Sequence, residues 1–367
     1  MRHTQTAFFY FFSILLSMNI FANIEMLKLY PGFKISIFAS DLDQPRQMIE
    51  SKNGTIFIGE RSGQIIALLD SDGNGQADSK RVIADDLTYS TGVSIFEGDL
   101  YFSEISKIWK IQDIENWLQK NSSGFPEKIL VTQDLPEDKW HGWKWLQHNA
   151  EGDIYTNVGA PCNICISENP QYASIIKLSD DNWEYVARGV RNSVGFDFHP
   201  ETSKLYFGDN GRDWLGDDSP SCELNRVDED GLFYGFPYQH ALNVKDPEYG
   251  DLESGYDYVD PILELGAHVA PTGLAFYDGE MFPKKYKNNI FITLHGSWNR
   301  SKKVGYKVVR VVLDGEGDVV DIKDFISGWL DGKTVLGRPA APLIISDGSL
   351  LISDDKANVI YRITYKQ

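Results

Sequence analysis

A few side chains in this sequence could do chemistry, and they sit far apart along the chain. His141, in "KWHGWKW", carries an imidazole able to take a proton near neutral pH. Arg46, the pair Arg191-Asn192 in "GVRNSVGFDFHP", and Arg338 in "VLGRPAA" offer guanidinium forks and an amide, a donor set suited to planar carboxylates. His268, in "GAHVAP", is a second imidazole. Each has a plainer use. Arg46 would cap a loop against a surface carboxylate, His141 would pack as a hydrogen-bonded core histidine beside its tryptophans, and His268 would be structural. Arg338 precedes a proline, which favours an extended run into a strand. The question is what could bring these positions together.

A repeated phrase answers it. A turn residue, an aliphatic or aliphatic-aromatic pair and small or acidic residues recur as "NGTIFIGE", "EGDLYFSE", "EGDIYTNV", "TSKLYFGD", "KNNIFITL" and "DGSLLISD". An alternating strand follows most copies ("QIIALLD", "KIWKIQD", "SIIKLSD", "ELNRVD", "YKVVRVVLD", "VIYRIT"), and another strand precedes each ("QPRQMIES", "STGVSIFE", "HGWKWLQHN", "NSVGFDFHP", "PTGLAFYD", "GRPAAPLIIS"). "IQDIENWLQK" is the one short helical stretch. Anchored on Ile56, Leu100, Ile154, Leu205, Ile290 and Leu350, the copies lie 44, 54, 51, 85 and 60 residues apart. That order predicts an all-β, six-bladed β-propeller of four-stranded antiparallel blades, with inserted loops largest between Asp209 and Asn289. A pair of β-sandwiches is the alternative, but it gives no reason for six copies in one order.

In a propeller the innermost strand of every blade lines one channel, so the residues leading into those strands meet at one end of it. With the preceding strand innermost, these residues are Pro45-Arg46-Gln47, Ser90-Thr91, Trp140-His141, Arg191-Asn192, His268 to Thr272, and Arg338. Arginines gathered at a narrow mouth repel one another. An anion is therefore expected between them.

The bulk composition restricts the partners. With 35 Lys+Arg against 53 Asp+Glu, the net charge of -18 excludes the basic stripe that nucleic acid requires. Residues 1–22, with Arg2, an apolar run and Ala22, read as a secretory signal peptide, leaving 23–367 as one exported domain without a membrane span. In an oxidising compartment Cys162 and Cys165 of "PCNIC" form a local disulfide, and Cys222 is an odd, buried thiol. "DSDGNGQAD" (70–78) resembles a calcium loop, but Arg81 stands where the bidentate Glu belongs, so an exposed turn is expected, with a weak calcium site as the alternative.

The ordered set "RNSVGFDFHPETSKLYFGDNGRDWLGDDSPSCELNRV", "YGFPY", "LHGSWNRSKKVGYKVVRV" and "GRP…DGSLLISDD" resembles the glucose/sorbosone dehydrogenase family, on its sorbosone or aldose side, from about Pro31 to Thr364. The resemblance implies an exported quinoprotein using pyrroloquinoline quinone and Ca2+ to oxidise an aldose or sugar aldehyde. Electrons would pass to an external acceptor, and the compartment would be periplasmic or extracellular. It implies His141 as base, Arg191, Asn192 and Arg338 as cofactor contacts, one of Asn299 and Arg300 as another, and Gly211 and Arg212 as carbonyl ligands of calcium. Trp140, Arg212 and Ala340 depart from relatives that carry an acid, a proline and an arginine there. The rival expectation is a non-catalytic secreted propeller that binds an anionic ligand or partner.

Overall fold

Each of the six repeated phrases forms a strand, and each is the second of the four antiparallel strands of a blade, with a two-residue strand added at the outer edge of the third (Leu232–Phe233, parallel) and of the fifth (Lys28–Leu29). The computed structural model describes residues 24–120, 123–180 and 182–366; the expected leader, 1–22, lies outside them. The second strands are Ile56–Glu60, Asp99–Ser103, Ile154–Val158, Leu205–Asp209, Ile290–Leu294 and Leu350–Asp354. The innermost strands are the preceding segments, Pro45–Glu50, Val93–Phe96, Leu146–His148, Phe196–Phe198, Pro271–Phe276 and Pro339–Ile344. The expected propeller is therefore the observed one. Five of the six second strands are buried along their whole length, because each is covered by the blade on either side. That is why they read as runs of Ile, Leu, Phe and Tyr. The core consequently lies between blades: Phe57 and Ile65 of the first pack with Val93 and Phe102 of the second, and Ile175 and Val186 of the third with Phe196 and Phe207 of the fourth.

The ring is closed by a segment that the repeats did not reveal. Phe33–Ala39, near the start of the chain, pairs antiparallel with Val359–Tyr365 and becomes the outer strand of the sixth blade. Phe33 fixes this closure. Its ring meets Phe282, Tyr286, Phe325 and Tyr365 edge-on at 4.7, 5.2, 4.8 and 5.0 Å. The insertion expected between Asp209 and Asn289 delays the last strand of the fourth blade until Leu263–Ala267 and contains a small hairpin, Gln239–His240 with Val244–Lys245. The short helix is Ile114–Gln119.

Cys162 and Cys165 are disulfide-bonded, and Cys222 is free and buried. "DSDGNGQAD" is a largely exposed turn between two strands, in which Asp70 accepts from the N–H of Asn74 and Gly75, and Asp78 from Ser71. Among the described residues no helix is long and apolar enough to cross a membrane. Replacing Phe33 by Ala is expected to lower the unfolding free energy by about 3 kcal/mol, as for a large aromatic removed from a packed site. A denaturant titration would measure this, and an unchanged midpoint would show that the closing strand is not held there.

Candidate active site at the channel mouth

One device, repeated in five of the six blades, positions the mouth. The last polar side chain of a second strand turns toward the chain leading into the innermost strand and bonds to its backbone. In the fourth blade Asp209 accepts from the N–H of both Arg191 and Asn192, at 2.8 and 2.7 Å. In the sixth, Asp354 accepts from the N–H of Arg338 at 2.8 Å. Asn157 Oδ1 accepts from Trp145 N–H at 2.7 Å, Ser103 Oγ from Gly92 at 3.0 Å, and Glu60 from Asp43 at 2.8 Å. Burial pushes the Asp209 and Asp354 carboxyls up to about 6, against the pull of the amides they hold.

The result is a cavity of about 490 Å³ lined by His141, Arg191, Asn192, Gly211, Asn299 and Arg338, together with Arg46, Arg61, Trp143, Asp213, His268, His295 and Asp355. Of the residues singled out from the sequence, Arg212 and Arg300 do not line it, and neither do Pro45, Gln47, Ser90, Thr91, Trp140, Val269 and Pro271, so the second blade sends no entry residue to the mouth. The Arg212 side chain turns away to Asp246, which also takes His240 at 2.9 Å and so ties down the inserted hairpin. Arg300 reaches Asp218 at 2.6 Å. Arg46, expected to cap a surface carboxylate, instead pairs inside the mouth with buried Asp355 at 2.6 Å. Its guanidinium and that of Arg61 lie 4.3 and 4.5 Å from the Trp143 ring centroid, so the indole holds two cations in the cavity.

His141 is held in a defined tautomer. Its Nδ1 lies 2.8 Å from the carbonyl oxygen of Ala160, an acceptor only, so Nδ1 carries the proton and Nε2 keeps its lone pair. Burial, helped by the positive charge of Arg191, depresses the imidazole to about 3, and it is therefore neutral at physiological pH. Close approach at this point requires a glycine. A Cβ on Gly159 would stand 2.6 Å from His141 Cβ and 3.1 Å from Asn192 Oδ1.

Arg191 is a brace as much as a ligand group. Nε and Nη2 donate to Asn163 O and Oδ1, both at 2.9 Å, Nη1 to Asn210 O at 3.0 Å, and Nη2 also to Asp213 at 3.3 Å. Because Asn163 lies between the two bonded cysteines, Arg191 ties the disulfide loop to the mouth. Arg338 bonds to the carbonyls of His295 and Gly296 at 3.1 and 2.5 Å. Among the described residues, Asn192 Oδ1 and Arg46 Nε are buried without a partner. Four arginines face two carboxylates, both already engaged. Asp213 takes Arg191 and Asn299, while Asp355 takes Arg46 and His295. The mouth is thus built for an anion bearing several acceptors, and the donor set fits a planar polycarboxylate. The carboxylates that gather closely enough to hold a cation among the described residues are Asp70, Asp72 and Asp78, in the exposed turn of the first blade.

The sequence reading did not single out Arg61, His295 or Asp355. Asp355 offered a signal: it follows Asp354 in "ISDD", where one acid serves the backbone and the next faces the channel. Burial takes His295 down to about 4 despite its bond to Asp355. Burial alone would raise Asp355, but Arg46 and His295 hold it well below the usual carboxylate range.

The family model described as TrAA12-like matches residues 27–325. An uncharacterized protein of Borreliella burgdorferi is 34% identical over 354 residues, 93% of this chain and 91% of that one. The pyrroloquinoline quinone-dependent pyranose dehydrogenase of Coprinopsis cinerea is 39% identical over 64 residues, 17% of this chain and 8% of that protein. The holo structure of its PQQ domain superposes with a TM-score of 0.78 at 18% identity, covering 92% of this chain and 97% of that one. The apo soluble aldose sugar dehydrogenase of Escherichia coli gives 0.65 at 16% identity, covering 91% and 100%. The fold is thus shared with both.

The state of His141 has a consequence for stability. Unfolded, its imidazole takes a proton near 6.5; folded, it resists protonation until about 3. As pH falls through 6.5 toward 4 the unfolded chain gains protons that the folded one does not, so this residue costs stability in that window. Urea titrations should show wild type losing stability relative to His141→Gln as pH falls from about 6.5 to 4. A difference independent of pH would contradict the buried neutral imidazole.

Proposed function

The chain belongs to the TrAA12-like family, and on that premise we propose that it is an exported dehydrogenase that oxidises an aldose or a sugar aldehyde, with pyrroloquinoline quinone as cofactor and His141 as base. One observation carries the reading. The neutral imidazole, with Nε2 free, opens into the same cavity as the guanidinium groups of Arg46, Arg61, Arg191 and Arg338. Arg338, Arg46 and the remaining N–H of Arg191 would hold the cofactor's carboxylates, and Asn192, whose Oδ1 is buried, would donate from Nδ2 to an oxygen of its ring system. When bound, the quinone accepts hydride from the sugar carbon. His141 receives the hydroxyl proton at Nε2, and the Ala160 carbonyl, bonded to Nδ1–H, favours the positive charge that then forms on the ring.

A calcium ion would rest on main-chain carbonyls at Gly211, which lines the cavity, and at Arg212, whose side chain turns away to Asp246, because the carboxylates nearest the mouth are already paired. Export is supported by the signal-like residues 1–22 and by the Cys162–Cys165 disulfide, which suits an oxidising compartment. An external acceptor would then reoxidise the cofactor in the periplasm or outside the cell.

Reconstitution tests the reading. Purified protein is mixed with pyrroloquinoline quinone, with and without calcium, and dye reduction is followed over a panel of aldoses and sorbosone. His141→Gln should bind the cofactor like wild type but lose roughly 10²–10⁴ in kcat. A profile of kcat/KM against pH should lack the acid limb near 6.5 that an ordinary histidine gives, because His141 titrates near 3. Failure of the wild type to bind the quinone would leave a binding propeller for another anion.

A further inference from the structure

Two of the most exposed large apolar side chains of this protein stand at the rim of the mouth. Trp214 and Trp298 are 68% and 62% solvent-exposed, and their rings meet edge to face, 5.5 Å apart at 87°. Trp298 lines the cavity, directly before Asn299 in the chain. Trp214 follows Asp213 and has φ +72, a left-handed backbone that a bulky residue adopts only where its surroundings enforce it.

The enforcement is visible. Asn299 Nδ2 donates to Asp213, Arg300 to Asp218 at 2.6 Å, and the Ser301 N–H to Asp217 at 3.0 Å. His268 Nε2 adds a bond to the Gly216 carbonyl at 2.8 Å. The two loops that carry the indoles are therefore splinted residue by residue. Asn299 and Arg300, of which the family resemblance offered one as a cofactor contact, both hold this aromatic wedge in place.

We infer that Trp214 and Trp298 form a subsite for a second sugar ring, so that the preferred substrate is an oligosaccharide whose reducing-end ring occupies the cavity. The inference rests on the sugar-oxidising reading of the same site. A pyranose presents an apolar C–H face edged by hydroxyls. A rigid, exposed indole meets that face at little conformational cost, and the acids beside it can accept the hydroxyls. Asp217 and Asp218 lie three and four residues after Trp214 in the same loop, and Asp218 is 87% exposed at its side chain. This acidic setting disfavours an anionic membrane surface as the occupant. Continuity with the cavity through Trp298 places the second ring next to the first.

The test compares a monosaccharide with its β- and α-linked disaccharides. Indole fluorescence is titrated with each sugar on the cofactor-free protein, and kcat/KM is measured on the reconstituted enzyme. Wild type should show fluorescence changes that saturate at lower concentration for a disaccharide. Trp214→Ala should lower the disaccharide-to-monosaccharide ratio of kcat/KM about five- to tenfold, the size of one aromatic contact, with Trp214→Phe restoring most of it. An unchanged ratio in Trp214→Ala with intact turnover would overturn the subsite and leave the dehydrogenase standing. Saturable fluorescence binding of a disaccharide without turnover of any sugar would keep the subsite and sink the dehydrogenase. Fluorescence insensitive to both sugars in an active enzyme would also overturn the subsite.

Discussion

The bond on which this site depends runs from a buried acid at the end of a second strand to the backbone leading into the innermost strand. Asp209 holds Arg191 and Asn192 by their amides, and Asp354 holds Arg338 in the same way. A propeller is otherwise free to let its loops wander, because its core lies between blades and not at the channel. These carboxylates fix where the arginine side chains begin, and each is a charge-assisted acceptor in a dry place. Such a bond is worth more than a neutral one and is costly to leave half made. The second and third blades, which have no acid there, use Ser103 and Asn157 for the same purpose, so the geometry comes from the position and the strength from the residue.

The electrostatics of the mouth follow from crowding cations into the space these bonds define. Arg46 and Arg61 share the Trp143 ring, Arg191 is spent largely on the disulfide loop, and two aspartates neutralise part of the remainder. His141 and His295 are kept neutral by burial and by the neighbouring positive charge. Among the described residues Arg46 Nε is buried without a partner, and four guanidinium groups stand with two carboxylates in the mouth. It gains most from a ligand that brings several acceptors together.

Much of this was legible in the sequence because a propeller writes its architecture six times. The order of preceding strand, phrase and following strand identified which strand is innermost, and that alone brought His141, Arg191, Asn192 and Arg338 to one place. Closure by Phe33–Ala39 was hidden because that strand belongs to no repeat. Arg61, His295 and Asp355 were hidden because they do not lead into an innermost strand and reach the mouth from neighbouring loops. Arg212 and Arg300 show the converse. A shared motif marks a position, but what its side chain bonds to is decided by acids tens of residues away, Asp246 and Asp218.

The measurement that reaches the centre of this account is a calorimetric titration of pyrroloquinoline quinone into the cofactor-free protein and into Asp209→Asn. Asp209 does not line the cavity, and its hydrogen bonds hold the backbone of Arg191 and Asn192. The expected result is saturable binding to wild type, weakened about tenfold in the variant, as for loss of one buried charge-assisted bond. Equal affinity in the two proteins, or none in the wild type, would contradict it.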